Sequence, residues 1–102
     1  MNVVITGASR GIGRTIAETF AANGHHLFLC SRSDVQLYKT MEVLGRKYPG
    51  ITIKAKAFDL SKQDGAKAFG HWCLAHTVPD ILINNAGAFE PGSIYNEKEG
   101  LL

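Results

Sequence analysis

Val3-Val4-Ile5-Thr6-Gly7-Ala8-Ser9-Arg10-Gly11-Ile12-Gly13 (VVITGASRGIG, residues 3–13) is the stretch that decides the fold. Its first three residues are β-branched and uncharged, which suits a short strand buried on both faces. After Gly11 the period changes. Ile12, Ile16, Ala17, Phe20 and Ala21 recur at helical spacing, and Asn23-Gly24 supplies a stop. A buried strand thus runs through a glycine-rich turn directly into a helix.

The same alternation repeats outward from that turn. His26–Ser31 (HLFLCS) is a second compact apolar run, and Ser33 followed by Gln36 has capping-box spacing at the head of a second helix. Val35, Tyr38, Met41 and Leu44 or Gly45 are its expected core face, before Tyr48-Pro49-Gly50 ends it. Ile51, Ile53, Ala55 and Ala57 alternate with Thr52, Lys54 and Lys56, the period of a strand with one wet face near a sheet edge. Ser61 with Asp64 marks a third helix, with Ala66, Phe69, Cys73 and His76 on one face and Pro79 as breaker. Ile81–Ile83 read as a fourth, buried strand running into Asn84-Asn85-Ala86-Gly87. Beyond Gly87, Pro91, Gly92 and their polar neighbours read as loop, with Glu97–Leu102 as a candidate helix start.

Strands and helices joined by short connections in the order βαβαβαβ predict an α/β, Rossmann-type doubly wound parallel sheet of strand order 3-2-1-4, truncated after its fourth strand. Residues 1–102 are read as one domain, since 102 residues support a single core.

Eleven Lys and Arg against nine Asp and Glu give a charge of +2 without a basic cluster, so no nucleic-acid partner is expected. The apolar runs fall far short of the roughly 20 residues that span a bilayer, and MNVVITG does not resemble a secretory leader. No membrane association and a cytoplasmic location are therefore expected. Cys30 and Cys73 are isolated and read as reduced, buried residues. His71 and His76 lie off a common helical face, and His25-His26 are adjacent, so no metal site is expected.

Each glycine of the turn has a distinct use in binding an anion. Gly7 permits the tight turn, Gly11 a close approach of a pyrophosphate, and Gly13 close packing of helix on strand, while the helix amides face the anion. Backbone geometry alone is the alternative use of such glycines.

TGASRGIG (Thr6–Gly13) and NNAG (Asn84–Gly87) closely resemble the two signatures of short-chain dehydrogenases/reductases. Both occur in order, at the ends of the first and fourth expected strands, with Asp59-Leu60 after the third. The resemblance covers nearly the whole chain, and the glycine spacing is similar to the main branch of the family, not the epimerase-like branch. It implies the N-terminal part of an NAD(P)-binding domain, from an enzyme that transfers hydride between a nicotinamide dinucleotide and a carbonyl or alcohol.

A carboxylate selecting NAD would stand about 20 residues beyond the glycine loop. Cys30-Ser31-Arg32-Ser33 holds none, and the forked cation of Arg32 suits a phosphate dianion. Arg10 resembles the basic loop residue of NADP-preferring members. NADP is thus expected over NAD; solvated arginines, or Arg32 paired with Asp34, are the alternative. By resemblance, Asp59 accepts from the adenine amino group and Leu60 lines that pocket, the alternative being helix capping, which Ser61 fits better. Asn85 and Ala86 are implied ribose contacts, and Gly87 allows close approach there. Asn84 either joins them or secures the sheet, and Ser9 either faces the adenosine or bonds within the loop. Gly7, Gly11, Ile12 and Gly13 complete the expected cofactor set.

The catalytic Tyr-x-x-x-Lys of the family comes after the fourth strand. Tyr38, Tyr48 and Tyr95 are followed at four by Glu42, Thr52 and Glu99, so no catalytic residue is carried over and the chain alone is expected to be inactive. A non-catalytic nucleotide-binding or scaffold protein is the alternative. Homo-oligomerisation or self-association through the open sheet edge is also expected. The substrate is not legible, although Ala88, Phe89 and Glu90 are candidates for the rim of its pocket.

Overall fold

The computed structural model describes residues 1–9 and 11–85. Its elements are β1 (Asn2–Thr6), α1 (Gly11–Ala22), β2 (His26–Ser31), α2 (Asp34–Lys47), β3 (Ile53–Ala57), α3 (Gln63–His76) and β4 (Ile81–Asn84). The four strands are parallel and ordered β3-β2-β1-β4, as their sequence order and short crossovers predict. β1 therefore lies where the strand order reverses, flanked by β2 and β4. Glu97–Leu102 and residues 88–90 lie outside the described residues.

Alternation along β1 explains why its apolar run is continuous. Val3 and Ile5 point to one face and pack with Leu27 and Leu29 of β2, Ala17 and Ala21 of α1, and Leu37 and Leu44 of α2. Val4 points the other way, into a second cluster with Phe28 and Cys73, against which Phe69 and Trp72 of α3 pack. Helices cover both faces, so every residue from Val3 to Thr6 is buried. β3 forms one sheet edge and alternates between half-buried and exposed, as its lysines predict.

Four expectations about helix and strand faces need correction. The core face of α1 is Gly13, Ala17 and Ala21, flanked by Ile16 and Phe20, while Ile12 is 72% exposed. The core face of α2 is Leu37, Thr40 and Leu44, whereas Val35 and Tyr38 are exposed. They join Met41, Pro49, Ile51 and Ile53 around an open cavity of about 590 Å³ between α2 and the β3 edge. In α3 only Cys73 is buried, and Ala66 and His76 are exposed. β4 is not buried on both faces either: Leu82, paired in register with Val4, is 61% exposed, because the α3 side chains reach Val4 and Phe28 but not this last strand.

Helix starts also differ in detail. Ser33 is the residue before α2, yet its side chain makes no capping bond, so the expected capping box is not formed. α3 opens at Gln63 after Lys62, two residues beyond Ser61, because Ser61 is drawn back to Asp59.

Candidate dinucleotide site

Parallel strands deliver every candidate segment to one end of the sheet. The glycine loop follows Thr6, Arg32 follows Ser31, Asp59 follows β3 and Asn85 follows Asn84, all at C-terminal strand ends. Open α/β sheets hold ligands there, beside the strand where the order reverses.

The loop's shape comes from its glycines. Gly7 and Gly11 take φ of +65° and +62°, which side-chain-bearing residues rarely adopt. Among the described residues the space above Gly11 is open, since a Cβ there would meet none of their atoms within 4 Å. Gly13 is different. A Cβ on it would fall 1.9 Å from the Gly7 carbonyl oxygen and 2.8 Å from Asn85 Nδ2, so its lack of a side chain lets α1 pack on the turn. The first turn of α1 carries no acidic residue, whereas Asp34 and Asp64 occupy those of α2 and α3. The amide end of α1 is thus left uncompensated beside an open glycine cradle, a fit for an anionic group.

Hydroxyl groups brace this loop from beneath. Ala8 N–H donates to the Cys30 carbonyl (3.1 Å), Ser31 Oγ to Ser9 Oγ (2.9 Å), and Thr40 Oγ1 to the Ser9 carbonyl (2.9 Å). Ser9 is buried, and its side chain accepts from Ser31 at the end of β2, a bond between segments and not the expected one within the loop. On the other side Thr6 Oγ1 donates to Asn84 Oδ1 (3.0 Å) and accepts from Asn85 N–H (2.8 Å), coupling β1 to the end of β4. Asn84 therefore secures the sheet, and Asn85 places its side-chain amide against Gly13.

Arg32 is exposed and faces Asp59, with Nε 3.8 Å from Oδ1; among the described residues its ion-pair partner is Asp59, not Asp34. Asp59 Oδ1 also accepts from Ser61 Oγ (2.5 Å) and Ser61 N–H (3.1 Å). The two Ser61 donors, with help from Arg32, hold the Asp59 carboxyl below its ordinary range. Leu60 comes next, half-buried. Gly65 fixes this turn, because a Cβ there would lie 2.0 Å from the Asp59 carbonyl oxygen. Thr6 opens the TGASRGIG stretch, whereas Thr40 and Gly65 carry no local sequence signal, because their roles arise only once distant segments meet. Arg10, Ala86 and Gly87 lie outside the described residues. The cavity beside α2 shares none of its lining with this constellation.

Burial pushes the Cys30 thiol up to about 12 and raises that of Cys73, so neither suits nucleophilic work. No helix among the described residues is long and apolar enough to cross a membrane.

A Rossmann-like parallel α/β sheet is the class that this fold defines, and comparison with known proteins narrows it. The family model described as short chain dehydrogenase matches residues 1–100. Sepiapterin reductase of Meriones unguiculatus is 39% identical over 92 residues, covering 82% of this chain and 35% of that protein. L-sorbose reductase from Gluconobacter frateurii, solved with NADPH and L-sorbose, superposes with a TM-score of 0.80 at 36% identity, covering 87% of this chain and 34% of the other. An alcohol dehydrogenase from Thermococcus sibiricus, solved with 5-hydroxy-NADP, gives a TM-score of 0.72 at 33% identity, with 79% and 34% covered. The chain belongs to the short-chain dehydrogenase family. It spans about a third of the length of these relatives.

Proposed function

We propose that residues 1–102 supply the NADP(H)-binding part of an oxidoreductase that transfers hydride between this cofactor and a small carbonyl or alcohol. The cofactor provides the hydride chemistry. This chain's residues bind and orient: the α1 amides and the Gly7–Gly13 turn receive the pyrophosphate, Asn85 borders the adenosine ribose, and Asp59 with Leu60 borders the adenine. Ala86, Gly87 and Arg10 join this set on their sequence positions. Residues 1–102 contain no Tyr-x-x-x-Lys pair, so this reading assigns them binding and orientation and no catalytic step.

One observation carries the choice of NADP. The residues that end β2 beside the glycine loop present a cation, Arg32, whose ion-pair partner among the described residues is a partly exposed carboxylate at 3.8 Å. So long a contact leaves the guanidinium free to take a phosphate in a bidentate pair, which an uncharged ribose hydroxyl does not offer. The NADPH and 5-hydroxy-NADP complexes of the relatives support the same reading.

Calorimetric titration of the chain with NADP and NAD tests this. Expected is tighter binding of NADP, with Arg32→Ala weakening NADP about tenfold or more, the worth of a charge-assisted hydrogen bond, while NAD changes little. Equal affinities for the two cofactors in the unaltered chain would overturn the assignment.

A further inference from the structure

Two anion-binding features of this site sit on different segments. The glycine loop follows β1, and Arg32 follows β2. A ligand carrying both a pyrophosphate and a ribose phosphate must reach both at once, so the spacing between the segments matters to it more than to a ligand that engages only the loop.

That spacing is held by buried hydroxyls. Ser31 Oγ donates to Ser9 Oγ at 2.9 Å and accepts from Ser33 N–H at 3.3 Å, tying the loop to both neighbours of Arg32. Thr40, on the core face of α2, donates to the Ser9 carbonyl at 2.9 Å. Ser9, Ser31 and Thr40 are 7%, 7% and 1% exposed. Burying three hydroxyls is costly unless each is satisfied, and valine would fill the Thr40 site with the same shape and no polar group to desolvate. Packing alone does not call for threonine at this position, between Leu37 and Leu44. Its hydroxyl is directed at one backbone carbonyl of the glycine loop.

We infer that Thr40 and Ser31 are positioning residues that set the distance between the glycine loop and Arg32, and so determine preference for a dinucleotide bearing a 2′-phosphate. The inference rests on the NADP reading above. Neither residue touches the cofactor; each acts through Ser9 and the backbone around Arg32. Thr40→Val leaves the Ser9 carbonyl without this donor and frees the loop to move relative to Arg32.

The test is the ratio of NAD to NADP dissociation constants, measured by calorimetry on the full chain, alongside thermal melting. Thr40→Val is expected to lower that ratio about fivefold to tenfold, the effect of losing one well-placed hydrogen bond. Thr40→Ser, which keeps the hydroxyl, restores it. Leu44→Ala truncates the same core face without touching Ser9, and it lowers Tm while leaving the ratio unchanged. Ser31→Ala lowers the ratio independently, which keeps the proposal testable if Thr40→Val fails to fold.

An unaltered ratio in both Thr40→Val and Ser31→Ala, within a chain that itself prefers NADP, overturns the positioning role alone. A ratio reduced equally by Leu44→Ala also overturns it, since general loosening then accounts for the effect. A starting chain with no preference for NADP overturns both this inference and the cofactor assignment beneath it.

Discussion

Replacing Gly13 by alanine isolates the contact on which the loop's shape depends. The added Cβ would fall 1.9 Å from the Gly7 carbonyl oxygen, where ordinary contact begins at 3.4 Å. Neither atom belongs to a flexible side chain, so α1 and the β1 turn must separate by about 1.5 Å or distort, an overpacking cost in the upper part of the usual range, about 2–3 kcal/mol. Alanine's helix preference returns up to about 1 kcal/mol, leaving a net loss of about 1–2 kcal/mol. For a domain of this size that lowers Tm by about 5–15 °C. Gly45→Ala is the control: it is also helical, its Cβ would meet nothing within 4 Å among the described residues, and a gain of about 0.5–1 kcal/mol is expected. Calorimetric or circular-dichroism melting of both variants measures the pair. A Gly13→Ala protein as stable as the starting chain would refute the close packing of α1 on the Gly7 turn.

Two further predictions concern titrating groups. Cys30 and Cys73 are buried with raised thiol pKa values, so neither should react with a thiol reagent at about pH 8 until denaturant is added, when both titrate; rapid reaction of the native chain would contradict this burial. The folded-state pKa of Asp59 is depressed, chiefly by the Ser61 donors, so its contribution to stability is present above the ordinary carboxylate value of about 4 and is lost as pH falls through the lowered value. Comparing urea midpoints of the starting chain and Asp59→Asn should therefore show a difference at about pH 7 that shrinks toward about pH 3; a difference that grows on acidification would reverse the assigned sign.

Local chemistry made the strand order and the glycine turn readable. Val3–Ile5 and His26–Ser31 are uniform apolar runs because helices cover both sheet faces, and positive φ at Gly7 and Gly11 is a need that only glycine meets without strain. Arg32 could be placed for a similar reason, since a strand end beside that turn is fixed by chain order. Facing was harder. Val35 and Tyr38 look like core at helical spacing, but the rotation of α2 is set by packing against β2 and β3, which buries Leu37, Thr40 and Leu44 instead. The capping spacing of Ser33 and Gln36 misled because the Ser33 amide is engaged by Ser31 Oγ. Ser61, the expected cap of α3, instead donates to Asp59, and the helix starts after Lys62 without a side-chain cap. The bond from Thr40 to the glycine loop has no local signature, since its partner is a backbone carbonyl 31 residues earlier.

From the glycine loop to Arg32, one end of this sheet forms a single proposed site for a phosphorylated dinucleotide. Amide resonances of the isotope-labelled chain followed during titration with NADP, and separately with NAD, test that claim most directly. Shifts are expected to concentrate at Gly7–Gly13, Ser31–Ser33, Asp59–Leu60 and Asn85, with those around Arg32 larger for NADP than for NAD. Shifts confined to the α2 and β3 cavity, or none with either cofactor, would contradict it.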